Sequence, residues 1–135
     1  MADFSDYLET QILNWIKGTT FPTAPTNLYV GLFSSDPTDT GSAGTEVTTT
    51  IRPAGRVTIT FGANTGTGDG GTVITSATDA DFGTSAGAAT VTHFAIFDAA
   101  SGGNMLFSDA LTSSKTIAIS DPVNFPAGNV TITID

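Results

Sequence analysis

The chain has 135 residues, no cysteine, and 13 acidic against four basic side chains, for a formal charge of −9. Its length is that of one domain, 1–135, able to bury its own core, and the missing thiols exclude disulfides, thiolate metal sites and cysteine nucleophiles. With Lys17, Arg52, Arg56 and Lys115 as its cations it has no basic stripe to neutralise phosphates, so no nucleic acid is expected as partner; no stretch approaches the roughly 20 apolar residues of a membrane-spanning helix, so no membrane is expected either.

The first element is a predicted helix over residues 3–17. Asp3 can cap it, Asp6 and Glu9 favour its positive N-terminal end, Lys17 favours its C-terminal end, and Gly18 can stop it. Phe4, Leu8, Ile12 and Trp15 or Ile16 recur at helical spacing, which makes the helix amphipathic. Its apolar side must therefore cover an end of the core or dock on a partner. Phe4, Tyr7, Leu8 and Trp15 are the candidate partner-interface residues, because large aromatic and aliphatic side chains dominate protein contacts. Pro22 and Pro25 oppose helix continuation and predict an extended linker over residues 19–26.

From there the chain reads as β. Leu28–Ser34 is apolar on both alternating faces, as in a strand buried on both sides, and Asp36-Pro37 opens a turn into a polar loop. Arg56–Phe61 alternates, with Val57, Ile59 and Phe61 inward and the threonines outward. Two loops of small residues, Gly62–Gly71 and Ala77–Ala89, are expected to face solvent or a partner, with a short strand at Thr72–Thr75 between them. Strands at 91–97 and 105–111 flank the turn Ser101-Gly-Gly-Asn104, whose glycines tolerate positive φ. Ile117 and Ile119 mark another strand, and Val130, Ile132 and Ile134 the last. Seven or eight short strands predict a mainly β fold, an antiparallel β-sandwich or jelly roll carrying one N-terminal amphipathic helix.

Motifs that could carry chemistry lack the context they need. Gly83-Thr-Ser-Ala-Gly87 fits the serine-hydrolase elbow, which requires a helix after Ser85; a β-rich Ala-Thr-Val run follows instead. Gly66, Gly68 and Gly71 match a dinucleotide fingerprint with no helix to receive the pyrophosphate. His93 is the single imidazole, too few for a histidine zinc set. Asp36, Asp39 and Glu46, and Asp79 with Asp81, carry oxygen ligands but not EF-hand spacing, and turn chemistry accounts for them. Asn129-Val-Thr131 matches a glycosylation acceptor inside an alternating strand pattern. No catalytic, metal or cofactor-binding residue is assigned, and no cofactor is expected.

Several segments, Phe4-Ser-Asp-Tyr-Leu-Glu9, Leu28-Tyr-Val-Gly-Leu-Phe-Ser-Ser-Asp-Pro37, Thr45-Glu-Val47, Thr92–Phe107, Leu111-Thr-Ser-Ser-Lys115 and Ala127–Asp135, recur in this order. Together they resemble a family of small tailed-phage virion structural proteins, commonly labelled tail-fibre proteins. Two departures stand out: Phe82-Gly83 followed by the insertion 84–89, where the family has Trp-Gly leading into the Thr-His strand, and Ser120-Asp121 where it has Gly-Asp. The resemblance implies a non-enzymatic component of a phage particle.

Within that setting, compactness, acidity and the absence of a shaft repeat favour a capsid decoration, or cement, protein on the capsid exterior. Such a protein would bind the major capsid protein or other virion proteins as a homo-dimer or homo-trimer. The alternative is a tail-fibre or receptor-binding component that contacts the host surface. The expected contacts are the helix residues named above and, second, the unpaired edge at the N-terminal side of 105–111.

Overall fold

The computed structural model of the protein describes residues 3–66 and 70–134. In chain order its elements are β1 (Asp3–Phe4), α1 (Asp6–Ile16), β2 (Leu28–Phe33), α2 (Thr48–Ile51) and β3 (Val57–Ile59). There follow β4 (Thr72–Thr75), β5 (Ala80–Thr84), β6 (Ala89–Phe97), β7 (Met105–Ile117), β8 (Pro122–Phe125) and β9 (Thr131–Ile134). Every pairing is antiparallel, in a five-stranded sheet ordered β1-β7-β6-β2-β3 and two two-stranded sheets, β4-β9 and β5-β8. Side chains from both layers share one core: Val30, Leu32 and Ile96 of the large sheet meet Phe82, Val123 and Ile132 of the small ones. The fold is thus mainly β and sandwich-like, as the alternating sequence predicts.

The helix begins later than expected. Asp3 does not cap it; Asp3 and Phe4 add to the outer edge of β7, opposite Ser108 and Phe107. Ser5 is the cap, its Oγ accepting from Leu8 N at 3.2 Å and donating to the carbonyl of Met105, while its own N–H donates to Leu106 O at 3.0 Å. One buried serine thus fastens the helix start to the sheet. The C-terminal end matches expectation: Gly18 takes φ +94°, Gly18 N–H reaches Trp15 O and Thr19 N–H reaches Asn14 O, the paired bonds of a Schellman motif.

Three further expectations are corrected. The 105–111 and 117–119 strands are one, β7, because its ladder with β6 resumes past a bulge: Val91 faces Lys115, yet His93 faces Ala110, so Leu111–Ser114 bow out of register. Ile119 lies outside that strand and is 66% exposed. The Ala77–Ala89 stretch is not a loop, since it holds β5, in which Phe82 is buried and Gly83 (φ +73°) follows a bulge against β8. The short α2 and β8 were not anticipated.

One arginine ties the large sheet to its turns. Arg56, just before β3, gives Nε and Nη2 to the two carboxylate oxygens of Glu46, each at 2.9 Å. Its Nη1 donates to Ala99 O (3.1 Å) and Gly102 O (2.9 Å) in the β6–β7 turn. The guanidinium carbon lies 3.4 Å from the centre of the Phe97 ring, a cation–π contact. Thr48, fully buried, accepts from Leu32 N–H and donates to Glu46, both at 2.8 Å, so the carboxylate is held from two sides. Gly31 lies beneath the pair: a Cβ there would come within 3.0 Å of Glu46 Oε1 and 3.1 Å of Phe97. The glycine in the Leu28–Phe33 strand is therefore a matter of space.

Burial opposes ionisation of Glu46, but hydrogen bonds from Arg56 and Thr48 and the guanidinium charge outweigh it and hold its carboxyl below the ordinary 4.5. A depressed pKa stabilises the fold above the unfolded value and ceases to do so as pH falls through the folded one. Glu46→Gln should therefore lower stability near neutral pH and lose its disadvantage as the pH falls below the ordinary glutamate range and through the lowered pKa of Glu46, measured by urea unfolding from neutral to acid pH. Arg56→Met, which keeps the stem over Phe97 but strands Glu46 and two carbonyls, should cost about 2–3 kcal/mol in the same assay. The Ala118–Asp121 turn yields a prediction of opposite sign. Ser120 sits there at φ +72°, a left-handed conformation that costs a non-glycine residue energy. Ser120→Gly should stabilise the fold by about 0.5–1 kcal/mol, the relief exceeding the added freedom of the unfolded chain.

Candidate interaction surfaces

The described residues offer no catalytic constellation at the positions the motifs mark. Ser85 is buried, its hydroxyl donating to Gly87 O at 2.6 Å and its backbone bonded to Ser120 and Asp121. His93 Nδ1 pairs with the neighbouring Thr92 hydroxyl at 2.8 Å, while its backbone sits in the sheet between Phe33 and Ala110. The carboxylates serve turns: Asp36 accepts from Thr38 N–H, Asp81 from Gly83 N–H and Asp79 from Ala127 N–H, each at 2.8 Å. No group of three or more His, Cys, Asp or Glu side chains placed to hold a metal occurs among the described residues. Among them, too, no helix is long and apolar enough to cross a membrane.

The four expected interface residues separate. Phe4 belongs to β1, not the helix, and packs half-buried against the main core. Tyr7 and Leu8 are also half-buried, on the first turn that Ser5 holds against β7. Trp15 is different, with 61% of its surface exposed. The second expected contact, the edge at the start of β7, is already covered, since β1 and Ser5 occupy it from Leu106 to Ser108.

Trp15 does not stand alone. Leu13 (60%), Ile16 (68%) and Phe21 (43%) are exposed as well, and the only comparably exposed large apolar residues elsewhere among the described ones are Ile119 and Ile134. No residue of α1 is fully buried, and residues 15–27 are exposed without interruption. Leu13, Trp15 and Ile16 together cover close to half of the helix circumference at ~100° per residue, so the last helical turn turns an apolar side to solvent. Helical spacing points to an apolar stripe here but is silent on whether the sheet is wide enough to cover it. That is why Leu13, Ile16 and Phe21 escape a sequence reading that ranks Phe4, Tyr7 and Leu8 above them.

A second surface is a cleft of about 700 Å³ between β7 and β8. Its floor reaches the buried core residues Leu32, Val91 and Phe94, its accessible apolar lining comes from Leu111, Pro122, Phe125 and Pro126, and the bowed segment Leu111–Ser113 forms part of one wall. Its polar lining includes Asp109, Lys115, Thr116, Asp121, Asn124 and Asn129. The size lies within the ~300–1,000 Å³ of ordinary binding clefts. The bulge that opens it follows from register and is invisible to periodicity.

No curated protein matches the chain. A family model does, over residues 3–133, nearly the whole length and all but the last residue of the elements described above; its description is podophage GP4 fiber I protein gp80. The β-rich body, the N-terminal helix and this match together make the chain a member of the podophage GP4 fiber I protein gp80 family, a structural family of tailed-phage virions.

Proposed function

We propose that the chain is a non-enzymatic component of a tail fibre, one that contributes to contact with the host surface. The fibre family matched over residues 3–133 carries this reading. Capsid decoration, favoured above on compactness and acidity, draws no specific support from a fibre family. Compactness agrees with either location, because a fibre can be assembled from many small domains as readily as from a continuous shaft.

The division of labour within the molecule supports a structural role. The core and the Arg56 clasp make a rigid body, whereas the end of α1 and the linker to residue 27 leave large apolar side chains in water. Exposed apolar groups clustered in this way mark assembly contacts. The helix end is accordingly assigned to assembly within the fibre.

The test is binding of the purified protein to three targets: tails from particles lacking this chain, tailless heads, and host cells. Saturable binding to tails or cells, with none to heads, is the expected result; binding to heads in numbers matching the capsomers would return the protein to capsid decoration. Trp15→Ser should abolish the tail attachment while shifting folding stability by no more than about 0.5 kcal/mol, as for other exposed positions. Equal losses of attachment and stability would assign Trp15 to the core.

A further inference from the structure

Strands β7 and β8 follow one another in the chain but belong to different layers, β7 to the large sheet and β8 to the β5-β8 pair. The Ala118–Asp121 turn joins them, Asp121 N–H donating to Ala118 O at 3.1 Å and the Asp121 carboxylate accepting from Ala118 N–H at 2.8 Å. The cleft of about 700 Å³ is the seam between those layers. Its floor is core, but its walls are accessible, and uncharged hydrogen-bonding groups dominate them. Thr112, Ser113 and Thr116 on β7, Asn124 on β8 and Asn129 beyond it are all exposed. None of these side chains has a hydrogen-bond partner among the described residues. Hydroxyls and carboxamides both donate and accept.

Beside these groups stand rigid rings. The half-buried Phe125 ring lies 5.9 Å from that of Phe94 and 6.3 Å from that of Phe82, centre to centre, which fixes it in place. Pro122 and Pro126 flank it, both exposed. Fixed rings lose little entropy when something packs on them. A sugar matches this lining, since its ring carries an apolar C–H face and an edge of hydroxyls that donate and accept. The charges on the walls point to a neutral one. Asp109 already has a partner and Asp121 is turned onto its own loop, with Lys115 as their counter-charge. The chain's −9 in turn repels polyanions. A peptide strand is a poorer occupant, because the bow at Leu111–Ser114 interrupts the regular edge that strand addition needs.

We propose that the β7–β8 cleft binds a neutral oligosaccharide of the host-cell surface. The proposal rests on the host-contact reading above and gives that contact a site of its own, since no residue before Leu32 lines the cleft and the apolar end of α1 lies elsewhere. Assembly and recognition then use separate surfaces of one chain. Each hydrogen bond to a sugar replaces one to water, so its net gain is small. A single cleft therefore binds weakly, and the copies in a particle hold the host through avidity.

An NMR titration tests it, with host-envelope polysaccharide freed of protein by protease and of lipid by mild acid hydrolysis as the probe. The polysaccharide should shift the side-chain amide signals of Asn124 and Asn129 and the backbone amides of 111–116 and 123–125, and leave those of residues 13–21 in place. Asn124→Ala/Asn129→Ala changes two exposed positions, so its urea midpoint should match the wild type while binding weakens by about tenfold or more. Raising the salt from low to physiological should alter the affinity less than about twofold, as for an uncharged ligand. Shifts mapped to another surface, a double variant that binds as the wild type does, a steep salt dependence, or no binding to the polysaccharide would each overturn the proposal. If the protein then still bound envelopes left untreated with protease, the host-contact reading would stand with a protein receptor; if it bound neither, that reading would fall as well.

Discussion

The bidentate pairing of Arg56 with Glu46 is the contact on which the large sheet depends, because it joins parts of the chain that no ladder joins. Strand β2 is paired along its first half by β3 and along its second half by the 45–48 segment, where Ser34 and Val47 N–H groups reach Thr45 and Leu32 carbonyls. Arg56 stands where those two neighbours meet, anchors one through Glu46 and the other through its own backbone, and reaches across Phe97 to the β6–β7 turn. Its side chain is only 7% exposed, so the guanidinium spends its donors almost wholly on the protein. A buried charge in this state is tolerable only because its partners are all present, which makes the site intolerant of piecemeal change. Gly31 beneath it and the Gly102-Gly103 turn above it are glycines for that reason, one for space and the other two for positive φ.

At the opposite edge of the sheet a neutral device does comparable work. Ser5 is shared between helix and strand, so the start of α1 is fastened to β7 while its last turn leaves Leu13, Trp15 and Ile16 exposed. A rigid body with an exposed apolar end is what an assembling fibre subunit requires. Rigidity limits the entropy lost on docking, and exposure presents the apolar side chains without unfolding anything.

Much of this was legible in the residues, and what was not has identifiable physical causes. The β6–β7 hairpin and the Val57–Ile59 strand follow from alternation, and the helix end from Gly18, because each is decided by local chemistry. Asp3 as cap fails because Ser5 competes for the same role and gains two further bonds to β7 that only tertiary structure supplies. The joining of two expected strands into β7 depends on a bulge at 111–114, and the hidden β5 lies in a run of small residues that reads as loop. Arg56 carries no local signal, since its partners at 46, 99 and 102 come from separate turns. The interface reading weighted the first turn of the helix, whereas the exposed apolar side chains lie in its last, as periodicity identifies an apolar side without showing how far the sheet beneath it extends. Ser120 is instructive in another way: the glycine that the resemblance leads one to expect at this turn acquires a reason once the φ there is known to be positive.

Family membership places the protein in a phage particle, and the exposed helix end is where the fibre account becomes physical. Amide hydrogen exchange, compared between the free protein and the protein assembled in virions, tests that claim most directly. The account predicts new protection concentrated in residues 13–21, with the β2 and β6 amides of the Arg56 region equally protected in both states. Unchanged exchange over 13–21 on assembly, with protection appearing only on the sheet faces, would contradict it.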